Sequence, residues 1–127
     1  MDVCYARDRE NLERLAVALE DLGAHVRGPG VPDDLPFRPD AETLEAGDHF
    51  TFATVAGDFD IMGTPAGTSG FRDLERGASE ASFDGETVTV ASIDDLIRMK
   101  MAAGRAKDLR DVELLRAMRE EIGRQDG

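Results

Sequence analysis

Cysteine is nearly absent: Cys4 stands alone, so no internal disulfide can form, which suits a reducing compartment. Basic charge is scarce too. The chain has 15 Lys plus Arg against 27 Asp plus Glu, a net charge of −12. That balance argues against non-specific nucleic-acid binding, which runs on cationic surface, and against docking on an anionic membrane. Long apolar runs are missing as well. None approaches the ~18 residues of a transmembrane helix, and the N-terminus lacks a signal peptide's apolar stretch. There is no repeat and no low-complexity tract. What remains, 127 residues of which 41% are hydrophobic, is expected to be one small, acidic, cytoplasmic domain with a modest core. A phosphate-bearing ligand would need a local cationic pocket or a bridging metal ion.

Periodicity sets the expected elements. Met1 to Ala6 is β-prone and starts abruptly, so a segment upstream of Met1 is expected to belong to the domain. Leu12, Leu15, Ala16, Leu19 and Leu22 form one helical stripe, stopped by Gly23. Ala24 to Arg27 is a short strand that would close a β-α-β unit. Gly28 to Pro39, rich in proline and glycine, reads as an irregular surface segment. Asp40 can cap a single turn over Ala41 to Glu45. A period of two then takes over, and Ala56-Gly57-Asp58 joins His49–Val55 to Phe59–Met62 as a hairpin. Thr64 to Gly70 reads as a loop and Phe71 to Arg76 as one or two helical turns. Asp84-Gly85 turns a second hairpin, and Ser92 caps a helix that ends at Gly104. A last helix, Ala106 to Ile122, is expected to bury Leu109, Val112, Leu115, Met118 and Ile122. The result is an α+β fold: a mixed sheet with a β-α-β start, central hairpins and two C-terminal helices.

Some residues do not fit a bland core. Asp58, Asp60 and Met62 share one strand face and Phe59 and Ile61 the other. An aspartate in an apolar strand is either on a wet face or a ligand for a cation. Asp2, at the head of the first strand, poses the same choice. Two such carboxylates brought together could bind Mg²⁺, which favours oxygen ligands. Lys100 falls on the stripe of Ile93, Leu96 and Ile97. Its stem can pack while its amine reaches water, or the amine can be aimed at a phosphate. Arg105, Asp108 and Asp111 follow at spacings of three along one helix edge. They either complement the helix dipole as an ion-paired set or support a site. Cys4, His25 and His49 show neither metal-ligand spacing nor a nucleophile motif, and Gly57, Gly63, Gly67 and Gly70 form no phosphate loop.

Three stretches carry a resemblance. They are Asp2-Val3-Cys4-Tyr5 with Asn11 to Leu15, Gly57-Asp58-Phe59-Asp60-Ile61-Met62-Gly63, and Asp95 to Lys100 with Ala103-Gly104-Arg105-Ala106-Lys107-Asp108-Leu109. Together they resemble small bacterial nucleotidyltransferase-like proteins of the DNA polymerase β-like superfamily. Members near this one include the toxin halves of abortive-infection type toxin–antitoxin pairs. The resemblance covers nearly the whole chain, and its C-terminal run is the most specific part.

The family implies three strand acids that hold two Mg²⁺ ions, aligning a nucleotide's α-phosphate with an attacking hydroxyl. By this resemblance Asp2 takes the place of the second acid and Asp60 that of the third, both as metal ligands. Lys100 takes the place of a lysine near the triphosphate, with Arg105 beside it as a nucleotide contact. Asp58, Asp108 and Asp111 are the supporting candidates. The family's Gly-Ser turn and first acid have no counterpart in the sequence and would lie upstream of Met1. The expected function is therefore Mg²⁺-dependent transfer of a nucleoside monophosphate from a nucleoside triphosphate, poor or absent in this chain. The alternative, from another class, is a non-catalytic binding module that pairs with itself as a homodimer or with an antitoxin-like protein.

Overall fold

In a computed structural model, residues 1–27 and 40–126 are described, and the expected surface segment Gly28–Pro39 lies outside them. The fold is α+β, with a four-stranded mixed sheet, a separate two-stranded sheet and five helices among the described residues. The chain divides into two compact units, Met1–Thr64 and Pro65–Gly127.

The first unit begins with β1 (Asp2–Cys4), followed by α1 (Arg9–Asp21) and β2 (His25–Val26). Asp8 caps α1 by accepting from the Asn11 amide at 3.3 Å, and Gly23 leaves the helix at φ +62°, a conformation glycine adopts without steric cost. Then come α2 (Ala41–Ala46), β3 (His49–Thr54) and β4 (Gly57–Met62). Asp40 caps α2 as its sequence position predicts, accepting from Thr43 at 2.8 Å.

The strands lie in the order β1-β4-β3-β2, with β1 parallel to β4 and the other pairs antiparallel. This corrects the simple β-α-β start. The strand after α1 does not pair with β1; the β3–β4 hairpin is inserted between them. Hydrophobic patterning alone cannot reveal that insertion, because it reports a strand's inward face and not its neighbour.

Register puts Val3, Phe50, Phe52, Phe59, Ile61 and Val26 on one face. Leu12 and Leu19 of α1 and Leu44 of α2 close over it, all fully buried with Phe52 and Ile61. Each such side chain contributes about 1.5–3 kcal/mol by leaving water. Phe50 and Phe52 stack with ring centroids 6.0 Å apart. The Tyr5 hydroxyl donates to the Leu44 carbonyl at 3.0 Å and accepts from Arg7 at 3.3 Å, while Arg7 also pairs with Asp48. These bonds pin the end of β1 to the end of α2.

The second unit holds α3 (Phe71–Glu75), β5 (Ser79–Phe83), β6 (Glu86–Val90), α4 (Ile93–Ala103) and α5 (Ala106–Asp126). β5 and β6 pair only with each other among the described residues, so the two hairpins do not share one sheet as expected. Their two-residue turn has positive φ at both Asp84 (50°) and Gly85 (82°), which matches the twist of antiparallel strands. Ser92 caps α4 through the Asp95 amide at 3.0 Å, and Gly104 ends it at φ +67°.

α5 differs from its expectation. Val112 is buried and Leu115 half-buried, but Leu109, Met118 and Ile122 are 50%, 53% and 45% exposed. Length accounts for Met118 and Ile122, since α4 has 11 residues and α5 has 21; it does not account for Leu109, which lies at the start of α5 beside the turn. No helix among the described residues is long and apolar enough to cross a membrane.

Candidate functional site

The sheet face opposite the core of the first unit carries the acids. Asp2 and Asp60 are direct partners in the parallel register of β1 and β4. Paired positions on neighbouring strands project to the same face, with the strands ~4.8 Å apart, so the two carboxylates belong to one patch. The Asp60 amide donates to the Met1 carbonyl at 2.8 Å, which holds β1 against β4 at this point. Neither carboxylate has a hydrogen-bond or ion-pair partner among the described residues. Asp2 is exposed and Asp60 half-buried.

Register extends the row. Thr51 stands opposite Asp60, and Arg27 lies beyond it, its amide donating to the Thr51 carbonyl at 2.9 Å. The next row on this face is Asp58, Ala53 and His25. Arg27 reaches over the small Ala53 to Asp58, Nε to Oδ1 at 3.5 Å. On the other side of the acids come Cys4, Met62 and His49. Burial, the largest cause, pushes the Cys4 thiol pKa up, which leaves it a poor nucleophile.

Two hard oxygen donors in register fit one Mg²⁺, which commonly takes one or two carboxylates and fills its remaining positions with water or phosphate oxygens. They do not make the three-acid set of a metal pair. Among the described residues no group of three or more His, Cys, Asp or Glu could hold a metal ion together. Sequence reasoning missed Arg27 and Thr51 as members of the row. No local signal marks them, because only strand order and register place them beside Asp60.

The remaining candidates lie in the second unit, where Lys100, Arg105, Asp108 and Asp111 form one ion cluster at the α4–α5 turn. Asp108 is the third residue of α5, and its carboxylate accepts the Arg105 amide at 3.2 Å. This is the reach-back half of a capping box, which satisfies a helix-start donor. Arg105 Nε donates to the same carboxylate at 2.6 Å. Lys100 Nζ donates to Asp111 at 2.8 Å and stands 3.6 Å from Asp108.

The Lys100 amine is thus tied to α5, with its pKa raised chiefly by the Asp111 hydrogen bond. Asp108 is 1% exposed, and the hydrogen bond from Arg105 holds its carboxyl below the usual range. A second cluster joins α3 to α4, with Arg98 donating to Asp73 at 2.9 Å and to Asp95 at 3.0 Å. Chemically, the first unit offers free carboxylates, and the second offers cations whose donors are already engaged.

Searches with the chain against protein families, curated proteins and solved structures return no match.

Proposed function

We propose that this chain is a nucleotidyltransferase-like protein whose Asp2 and Asp60 hold one Mg²⁺ for a nucleoside triphosphate. The observation that carries the reading is the direct register of Asp2 with Asp60 on one sheet face. When bound, the ion would supply positive charge against the charge developing at the α-phosphate as an acceptor hydroxyl displaces pyrophosphate. Asp2 and Asp60 present oxygen atoms to it. Lys100 and Arg105, which the resemblance also names, are held by Asp111 and Asp108 within the second unit, and the reading does not rest on them. With two acids in place of three and no Gly-Ser turn, transfer by this chain is slow. Each lost electrostatic group of this kind costs about 2.7–4 kcal/mol of transition-state stabilisation.

Calorimetry with Mg²⁺ and each nucleoside triphosphate tests the proposal, followed by a transfer assay with labelled triphosphate. Binding that Asp60→Ala abolishes supports it. No heat with any nucleotide overturns it and leaves the second reading, a binding module acting through association. That reading is favoured by the engagement of Lys100 and Arg105 with carboxylates of their own helix hairpin.

A further inference from the structure

The β5–β6 hairpin has a divided surface. Ala81, Phe83, Val88 and Val90 share one face with Ser79 and Glu86 at its ends, and Glu80, Ser82, Thr87 and Thr89 share the other. Phe83, Val88 and Val90 are 63%, 39% and 40% exposed, and every residue of β6 is exposed. A lone two-stranded hairpin is marginally stable in water and gains from a further strand or layer. β6 reads Glu-Thr-Val-Thr-Val and lacks the lysine, proline or bulge that usually guards a free edge. The hairpin's charged residues, Glu80, Asp84 and Glu86, are all acidic, and none has an ion-pair partner among the described residues. A second copy of a chain with net charge −12 would bring more of the same sign to this edge.

We propose that β6 is a docking strand for a basic, extended segment of another protein. The segment adds as a third strand along β6, with apolar side chains on Val88 and Val90 and arginine or lysine beside Glu86. Main-chain hydrogen bonds supply affinity and the alternating side chains supply selectivity, as in other strand additions. The inference is independent of the metal reading, because no residue of the acid pair takes part.

The test is fluorescence anisotropy of the full chain with a labelled peptide of sequence Val-Lys-Val-Lys-Arg, whose two valines and arginine share one face, as Val90, Val88 and Glu86 do. Controls are the same peptide with glutamate for its basic residues and the basic peptide N-methylated at alternate residues. The expected result is binding of the first peptide alone, weakened by salt. Val88→Asp separates docking from plain charge attraction. It makes the chain more negative, so non-specific attraction would rise, whereas strand docking falls roughly tenfold with loss of an apolar anchor. Glu86→Lys is expected to weaken the basic peptide and admit the acidic one. Equal binding of the N-methylated peptide, or unchanged or tighter binding by Val88→Asp, overturns the proposal. So does a concentration-dependent dimer that Val88→Asp dissolves, which would make the occupant a second copy.

Discussion

Lys100 and Asp111 are joined across the α4–α5 turn by a 2.8 Å hydrogen bond between opposite charges. A lysine on an apolar helical stripe is thereby used as a clasp, with the buried Asp108 between it and Arg105. The stem packs along α4 and the charge is neutralised at the α5 start, where the helix also needs an acceptor.

Removing the centre of that clasp is expected to loosen the helix hairpin. Asp108→Ala should cost about 1–3 kcal/mol, the worth of hydrogen bonds to a charged group, since Arg105 and Lys100 can rehydrate. Urea denaturation of the variant against the parent chain measures this. A change under a few tenths of a kcal/mol would show that Asp108 is dispensable.

The pH dependence follows from the same groups. Arg105 depresses the Asp108 pKa, and Arg98 depresses that of Asp73. Carboxylates lowered on folding stabilise fully above the ordinary value of ~3.9, and that stabilisation is lost as pH falls through the depressed values. Lys100 is raised by Asp111, so its contribution is full below the ordinary lysine value of ~10.4 and lost as pH rises beyond it. Asp108→Asn should therefore flatten the acid-side decline in denaturation midpoint, and Lys100→Met the alkaline side. Parallel profiles for variant and parent would contradict this.

Gly63 is buried, and a methyl group there would meet the Arg7 guanidinium and the Asp48 carboxylate. Gly63→Val should displace the Arg7–Asp48 pair and cost about 1–3 kcal/mol, as overpacking does. Tyr5→Phe, which removes the donor to Leu44, should cost about 1 kcal/mol. Thermal denaturation followed by circular dichroism ranks both, and equality of Gly63→Val with the parent would sink the packing argument.

Exposure along α5 gives a contrast between neighbours. Leu114→Gln and Met118→Gln, both at exposed positions, should stay within about 0.5 kcal/mol of the parent. Ile97→Ala, in the α4 contact, should cost about 2–5 kcal/mol. Chemical denaturation distinguishes the two groups, and a large loss at Met118 would mean that the stripe is covered in solution.

Much of this was legible locally. Alternation over Asp58 to Met62 separates acids from core, and Asp40, Ser92 and Gly104 mark helix ends by their own side-chain chemistry or lack of a Cβ. What escaped was set by distant partners. The apolar spacing of α5 reads as a buried stripe, yet spacing does not tell which of its positions another element covers. The pairing of Asp2 with Asp60 was expected from the resemblance, but Arg27 beside Thr51 depends on strand order, which no local pattern encodes. Lys100 stands out on its apolar stripe, whereas spacing alone shows Asp108 and Asp111 only as an edge of α5 and not as its partners.

The β3–β4 hairpin closes over two residues, whereas β1 meets β4 only after most of the first unit has been traversed. Hairpins of this kind form within about 1–10 μs, and long-range strand pairing comes later because the chain entropy of a large loop must be overcome first. β1 is a three-residue strand at one edge of the sheet, so it can open without melting the Leu12–Phe52–Ile61 core. Each opening separates Asp2 from Asp60. A cation shared by the two carboxylates would therefore act as a staple on an edge strand. Its occupancy would be read in slower hydrogen exchange at the Tyr5 amide, which donates to Met62 across that same junction.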